Sequence, residues 1–305
     1  MNDNNIKFSV IIPLYNKEKS IKRTIECVLS QSIGDFELII VNDGSTDNSI
    51  EAAQSINDKR ILIIDKRNGG VSSARNVGIK NANHNYIAFL DADDLWEPDF
   101  LMTIRRLIIK YPQAMAYATR FLQKLNNKNI YLSPSNHASI KEGPILDYYK
   151  EANKAPLIHS SAICIKKEVF DIIMPFDERI SHGEDRELWI RLVDKFIVVY
   201  SSSPQAYFIL DSENRSIDNI PPPERTLSYY LDLNNITNKY QLQYHQKHLY
   251  NRVYFYLKKR KFNWAFLLIK KHWKSMSLAT YLYFYLLNSF RRICRLQALI
   301  VRLKL

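Results

Sequence analysis

Three carboxylates, Asp91, Asp93 and Asp94, stand within four residues, directly after the apolar run Tyr86-Ile-Ala-Phe-Leu90. The run reads as a short buried strand. Carboxylates crowded at the end of a buried strand repel one another and are costly to desolvate, so something cationic must neutralise them. Oxygen ligands on a short turn suit Mg²⁺ or Mn²⁺, ions that commonly hold phosphate oxygens as well. The plainer alternative is a solvated acidic turn ahead of the helix that starts near Pro98. Two further acidic positions follow the same logic. Asp43 opens Asn42-Asp-Gly-Ser-Thr-Asp47, again after an apolar run, and Glu184-Asp185 precede an amphipathic stretch with Leu188, Trp189 and Leu192. Either could be no more than a helix cap or an acid-rich helix N-terminus.

These acids need elements to place them. Phe8 to Pro13, Phe36 to Val41, Arg60 to Ile64 and Tyr86 to Leu90 read as strands. Lys19 to Gln31, the stretch after Asp47 to about Ile56, Val71 to Asn83, and Pro98 to about Lys110 read as helices. The first of these carries Ile21, Ile25, Val28 and Leu29 at helical spacing. Strands alternating with helices imply βαβ units and a mostly parallel sheet. Such sheets bind ligands at the carboxyl ends of their strands, which sets Pro13-Leu-Tyr15, Asp43 and Asp91 to Asp94 along one edge. Residues 111–215 continue less regularly. Strands are expected at Met115 to Phe121, Ser161 to Ile165, Phe196 to Tyr200 and Ala206 to Leu210, with helices at Lys167 to Ile173 and from Gly183. Neither G-x-G-x-x-G nor a Walker sequence is present, so dinucleotide and P-loop chemistry lack support.

The chain of 305 residues can bury one large core, or one domain with an appendage. Cys27, Cys164 and Cys294 are odd in number and far apart. They offer neither metal-ligand spacing nor a disulfide framework and fit a reducing compartment. The N-terminal residues lack the apolar core of a signal peptide, and no run reaches about 18 apolar residues, so no spanning helix is expected. The net charge of +12 is unevenly spread. Residues 221–305 hold 16 of the 43 Lys+Arg but 2 of the 31 Asp+Glu, and no acid follows Asp232. The composition therefore breaks at Ile220-Pro-Pro-Pro223, which predicts a domain over 1–220 and a basic tail over 221–305.

Five segments together carry a family resemblance: Val10-Ile-Ile-Pro-Leu-Tyr-Asn16, Val41-Asn-Asp-Gly-Ser-Thr-Asp47, Gly70-Val-Ser-Ser-Ala-Arg-Asn76, Phe89-Leu-Asp-Ala-Asp-Asp94, and Gly183-Glu-Asp185 before Leu188-Trp189. Over about residues 6–215 the chain resembles the family 2 glycosyltransferases, inverting enzymes of the GT-A fold. The resemblance implies an α/β fold of that type, with residues 1–110 binding a nucleotide-diphospho-sugar, expected to be a UDP-sugar, and 111–220 facing the acceptor. It implies that Pro13 and Tyr15 line the nucleobase pocket, that Asp43 accepts from the base, and that Arg75 and Asn76 lie beside the nucleotide. Asp91, Ala92 and Asp93 would meet the ribose and diphosphate, with Asp91 and Asp93 holding Mn²⁺ or Mg²⁺. Asp185 would be the base for the acceptor hydroxyl and Glu184 an acceptor-positioning neighbour. From the residues alone, Tyr15 could instead be core, Arg75 an exposed helix arginine, and Asp94 a cap for the helix that follows. The chain departs from relatives at Phe208 and Leu210, where an arginine and a metal-reaching histidine are common. Asp211 is the nearby substitute, while His159 and His182 are expected to be polar surface or loop residues.

From about Glu224 the tail reads as amphipathic and helical, with Tyr229, Tyr230, Leu233, Tyr250, Val253, Tyr254 and Leu257 on apolar positions. Lys258-Lys-Arg-Lys261 and Lys270-Lys-His-Trp-Lys274 supply charge, Met276 to Phe290 is rich in Leu, Tyr and Phe, and Ile293, Leu296, Ile300 and Leu303 form a last stripe. Aromatic residues with cationic flanks and no acids suit an anionic bilayer surface, a helical cap or dimer surface being the alternative. Nucleic acid is not an expected partner, and the oligomeric state is open. The expected protein is thus an inverting, metal-dependent glycosyltransferase of bacterial surface-glycan assembly. It would act on a lipid-linked or oligosaccharide acceptor, peripheral on the cytoplasmic face of the inner membrane. A degenerate transferase fold kept as a membrane-associated scaffold is the alternative.

Overall fold

The computed structural model of the chain describes residues 6–125, 130–132, 139–214 and 220–276. Two compact units emerge, Met1–Ile220 and Pro221–Leu305.

The first unit is an α/β sheet protein. Its strands are β1 (Phe8–Leu14), β2 (Phe36–Asn42), β3 (Ile61–Asp65), β4 (Tyr86–Phe89), β5 (Leu95–Trp96), β6 (Ala116–Leu125), β7 (Ile130–Leu132), β8 (Glu142–Pro144), β9 (Ile163–Lys166) and β10 (Val198–Ile209). Its helices are α1 (Ile21–Leu29), α2 (Ser49–Gln54), α3 (Val71–Asn81), α4 (Phe100–Lys110), α5 (Tyr148–Lys154), α6 (Val169–Ile173) and α7 (Glu184–Val193). The main path through the sheet runs β3-β2-β1-β4-β9-β6-β10-β5. Strands β3, β2, β1 and β4 are mutually parallel. Every residue of β1 and β4 is buried, as befits parallel strands covered on both faces. The order steps outward from β1 in both directions, which opens a crevice at the carboxyl ends of β1 and β4.

Beyond β4 the sheet turns antiparallel through β9, and only β6 and β10 pair in parallel again. Helices lock onto the parallel half by their apolar stripes. In α1, Ile21, Thr24, Ile25 and Val28 are buried, which is the spacing of one helix face. Helix α3 approaches β1 so closely that a Cβ on Gly78 would lie 2.4 Å from Ile11 Cγ2.

Two differences from the expected elements have local causes. Ser201 to Pro204 was expected to separate two strands, but β10 continues across it and absorbs the irregularity as register shifts against β6. The short strand β5 was not foreseen. Its two residues follow the acidic turn and pair antiparallel with Ala206 and Tyr207 of β10.

The second unit is helical over its described residues, with α8 (Leu227–Tyr230), α9 (Lys239–Lys258) and α10 (Phe262–His272). Asn238 caps α9, its side chain accepting from the N–H groups of Tyr240 and Gln241. Leu249, Val253, Tyr256, Ala265 and Leu268 are buried, and the Tyr256 hydroxyl donates to the Pro221 carbonyl at 2.8 Å. No helix among the described residues is long and apolar enough to cross a membrane. The expected apolar stretch to Phe290 and the stripe from Ile293 to Leu303 lie outside the described residues.

Candidate active site

Asp91 to Asp94 form a tight turn, closed by the Asp94 N–H donating to the Asp91 carbonyl at 3.0 Å. Thr24 of α1 pins it from below, its hydroxyl reaching the carbonyls of Ala92 and Asp94 at 3.0 Å each. Ala92 is buried 3% exposed, and the three carboxylates around it leave the turn in different directions.

Asp91 meets Arg75. The guanidinium Nη2 donates to Asp91 Oδ1 at 2.6 Å, and Nη1 reaches Glu184 Oε1 at 3.3 Å. Arg75 is not an exposed helix arginine. Its side chain is 3% exposed and its guanidinium lies 5.0 Å from the Phe176 ring centroid. Burial pushes the Asp91 carboxyl up, but the charge and hydrogen bond of Arg75, with His159 and Lys17, together hold it below the ordinary carboxylate range. Glu184 is pushed up to about 7 by burial and by the neighbouring Asp185 charge, against the pull of Arg75.

Asp93 turns to the other side. Its Oδ2 accepts from the Lys17 ammonium at 2.7 Å and from the Ser212 hydroxyl at 2.5 Å. Asp94 is fully buried. The alternative that it caps the following helix does not hold, since the N-cap of α4 is Asp99. The Asp94 carboxylate instead accepts from the Ser161 hydroxyl at 2.5 Å and from the Ile209 N–H at 3.0 Å. It thereby ties the acidic turn to the residues before β9 and to the end of β10. Burial and the charges of Asp93 and Asp91 raise it well above the ordinary carboxylate range.

His159 corrects the sequence reading. Expected as a polar loop residue, it has a side chain only 17% exposed, with Nδ1 3.9 Å from Asp94 Oδ2. Its ring is held between Phe121 and Phe208, 4.8 Å from each centroid, and its Nδ1 accepts the Ser161 N–H at 3.1 Å. Burial lowers its affinity for a proton. Asp91, Asp94 and His159 offer ligand atoms within 4.8 Å of one another. Two carboxylates and a neutral imidazole form a donor set that suits a divalent cation. Among the described residues Asp91 therefore converges with Asp94 and His159, while Asp93, the other half of the expected pair, is held by Lys17 and Ser212, and the nitrogen comes from before β9 rather than from position 210. Asp211 sits exposed on the turn after β10.

The base-side residues assemble at the ends of β1 and β2. Pro13 is buried in β1, while Tyr15 is 39% exposed and therefore not core. Asp43 is 2% exposed. Its Oδ1 accepts from the Gly69 N–H at 2.9 Å and the Lys66 ammonium at 2.5 Å, and its Oδ2 from the Gly70 N–H at 2.7 Å. It is thus no cap for the helix after it; it holds the loop that leads into α3. Gly70 takes φ 90 there, a conformation that favours glycine. A carboxylate has about four acceptor positions, and Asp43 fills three of them among the described residues. Asn76 is committed elsewhere: its amide group bonds the Phe176 carbonyl and N–H and the Glu178 carboxylate at 2.9 to 3.0 Å, fixing the loop whose Phe176 lies under Arg75.

Asp185 lies in the first turn of α7, whose N-cap Gly183 is left-handed at φ 84. Its charge is felt by Arg75, His159 and Glu184. Trp189, one turn on, is buried in the core.

Comparison with known proteins agrees with this architecture. The family profile "Glycosyl transferase family 2" matches residues 9–171. The chain is 38% identical over 112 residues to glycosyltransferase GlyA of Streptococcus pneumoniae, covering 36% of this chain and 16% of that protein. It is 30% identical over 213 residues to the uncharacterized glycosyltransferase EpsJ of Bacillus subtilis, covering 65% of this chain and 62% of that one. The chain thus spans less than two thirds of the length of these relatives. Among solved structures, S. aureus TarS 1-349 in complex with UDP-GlcNAc aligns with TM-score 0.65 and 19% identity over 80% of this chain and 72% of that one, a likeness of fold. With a mixed, mostly parallel sheet of the GT-A type and a family profile over more than half its length, the chain belongs to the family 2 glycosyltransferases.

Proposed function

We propose that the protein is an inverting glycosyltransferase that moves a sugar from a nucleotide-diphospho-sugar, of the UDP type, onto the hydroxyl of a lipid-linked or polysaccharide acceptor in bacterial surface-glycan assembly. One observation carries the reading. Asp43, Asp91 and Asp93 gather at the carboxyl ends of β2 and β4, and the buried Arg75 joins Asp91 to the helix that bears Asp185. TarS, which shares the fold, was crystallised with UDP, and this supports the choice of nucleotide.

Tyr15 presents a face for the base, and the remaining acceptor position of Asp43 suits the imide N–H of uracil, a charge-assisted bond. Asp91 and Asp93 face the ribose and diphosphate. Asp91, Asp94 and His159 would hold Mn²⁺ or Mg²⁺, with Asp93 beside them; when bound, such an ion supplies Lewis-acid stabilisation of the leaving diphosphate. Asp185 takes the acceptor hydroxyl proton as the oxygen attacks C1 and the C1–O bond to the phosphate breaks. A single base with attack opposite the leaving group inverts the anomeric centre. Glu184, held by Arg75, positions the acceptor.

The tail is read as a peripheral anchor to an anionic leaflet on the cytoplasmic face. Among its described residues Tyr254 and Trp273 are 63% and 53% exposed, near Lys258 and Lys274 in sequence, and each such cation near an anionic surface contributes about 1 kcal/mol. The test of the whole reading is a donor screen with purified protein and Mn²⁺, followed as nucleoside diphosphate release. Asp185→Asn should abolish transfer while leaving UDP binding intact. Unimpaired transfer by that variant would refute the assignment of the base.

A further inference from the structure

Lys17 has no part in the chemistry above, yet it is among the most constrained lysines of the domain. It follows Tyr15 in the loop after β1. Asn16 adopts φ 51, and this turn is fixed by its neighbours. The Asn16 N–H donates to Ser45 Oγ at 3.0 Å, Asn16 Oδ1 accepts the Thr46 N–H at 2.8 Å, and the Lys17 N–H donates to Ser49 Oγ at 2.7 Å. The motif after β2 therefore positions the backbone of Lys17. Its side chain is only 11% exposed. The ammonium donates to Asp93 Oδ2 at 2.7 Å and to the Glu213 carbonyl. Three protons are available on an ammonium, and two of them have partners among the described residues. Asp93 Oδ1 accepts no hydrogen bond among the described residues.

A lysine buried at this point has a reason beyond packing. Asp93 stands where the donor diphosphate is expected, and the Lys17 ammonium neutralises it. We propose that Lys17 is a diphosphate-binding residue that exchanges partners: its ammonium leaves Asp93 for a phosphate oxygen when a nucleoside diphosphate binds. It thereby competes with a divalent cation for Asp93. This rests on the nucleotide-sugar reading of the site.

The exchange predicts effects of opposite sign, which a merely structural lysine would not give. In Lys17→Met, Asp93 loses its competing cation, so Mn²⁺ alone should bind the protein about tenfold more tightly. UDP in EDTA should bind about tenfold more weakly, for the loss of one charge-assisted contact. Asp93→Asn is the mirror case: it frees Lys17, so UDP in EDTA should bind severalfold more tightly and Mn²⁺ more weakly. Isothermal titration of each protein with UDP in EDTA, and separately with MnCl₂, reads both, with circular dichroism to establish that each variant is folded. If Lys17→Met fails to fold, the Asp93→Asn pair of titrations decides. Unchanged UDP affinity in Lys17→Met, or shifts of the same sign for both ligands in either variant, overturns the exchange. Wild-type protein that binds no UDP with or without Mn²⁺ overturns the donor reading itself, and the inference with it. Wild-type binding with unaltered variants overturns the role of Lys17 alone.

Discussion

Removing the Arg75 guanidinium is the sharpest test of how the acidic turn is held. Arg75→Met keeps much of the side-chain volume against Phe176 and α3 but leaves Asp91 and Glu184 without their shared cation. Orphaning one partner of a fully buried pair costs about 3 to 5 kcal/mol. Here the Asp91 side chain is 27% exposed and that of Glu184 is 14% exposed, so water relieves part of the penalty and the lower end, about 3 kcal/mol, is expected. The pH dependence identifies the cause. In the wild type burial raises the folded-state Asp91 pKa, and Arg75, helped by His159 and Lys17, brings it below the unfolded value, so this contribution is present above the unfolded value and is lost as pH falls through the folded one. Without Arg75 burial prevails, the folded pKa rises above the unfolded value, and protonation on acidification relieves the strain. The stability gap between Arg75→Met and wild type, measured by urea denaturation, should therefore narrow between pH 8 and pH 5. A loss below about 1 kcal/mol, or a gap that does not change with pH, would refute the argument that a desolvated ion pair holds this turn.

Gly78→Ala should destabilise by about 1 to 2 kcal/mol despite the better helix propensity of alanine, because the new methyl must displace the Ile11 side chain in a packed core; denaturant midpoints check it, and Ile11→Ala in the same chain should relieve the clash. Asp43→Asn should cost about 1 to 3 kcal/mol and weaken UDP binding at least tenfold, since an amide nitrogen would face N–H donors at Gly69 or Gly70. In the second unit, burial lowers the His245 pKa to about 4. A folded pKa below the unfolded value near 6.5 means stability that is full above pH 6.5 and lost as pH falls towards 4, about 3 kcal/mol at most. A melting temperature that falls from pH 7 to pH 5 in the wild type, and falls less in His245→Phe, is the expected result.

The parallel half of the sheet was legible because continuous apolar runs and helix-period stripes dominate residues 8 to 110. The acids at its strand ends were legible because a carboxylate after such a run is conspicuous. The other half was less so for physical reasons. β10 runs through a stretch broken by serine and proline, and β5 has two residues, too few for any period to register. His159 was discounted because an isolated histidine in an irregular segment carries no spacing signal; the available hint was its place just before Ser160-Ser-Ala-Ile-Cys-Ile165, at the mouth of a buried strand. Lys17 was invisible for the opposite reason. A lysine one residue from a polar turn looks solvated, and only the tertiary position of Asp93, 76 residues later, reveals otherwise. Asn76 illustrates the limit of motif reading, since it stands next to Arg75 in sequence yet bonds to a different loop.

The cation shared by Asp91 and Glu184 ties the two sides of the site together. Arg75 cannot strengthen its grip on one carboxylate without slackening it on the other, so a ligand that draws Asp91 away leaves the guanidinium freer to organise Glu184. By reciprocity, whatever occupies the donor side changes the affinity of the acceptor side by the same factor as the reverse. On the proposed assignment of the two sides, either ligand once bound would prepare the protein for the other to the same degree, so a measured preference for one order would have to come from elsewhere in the site.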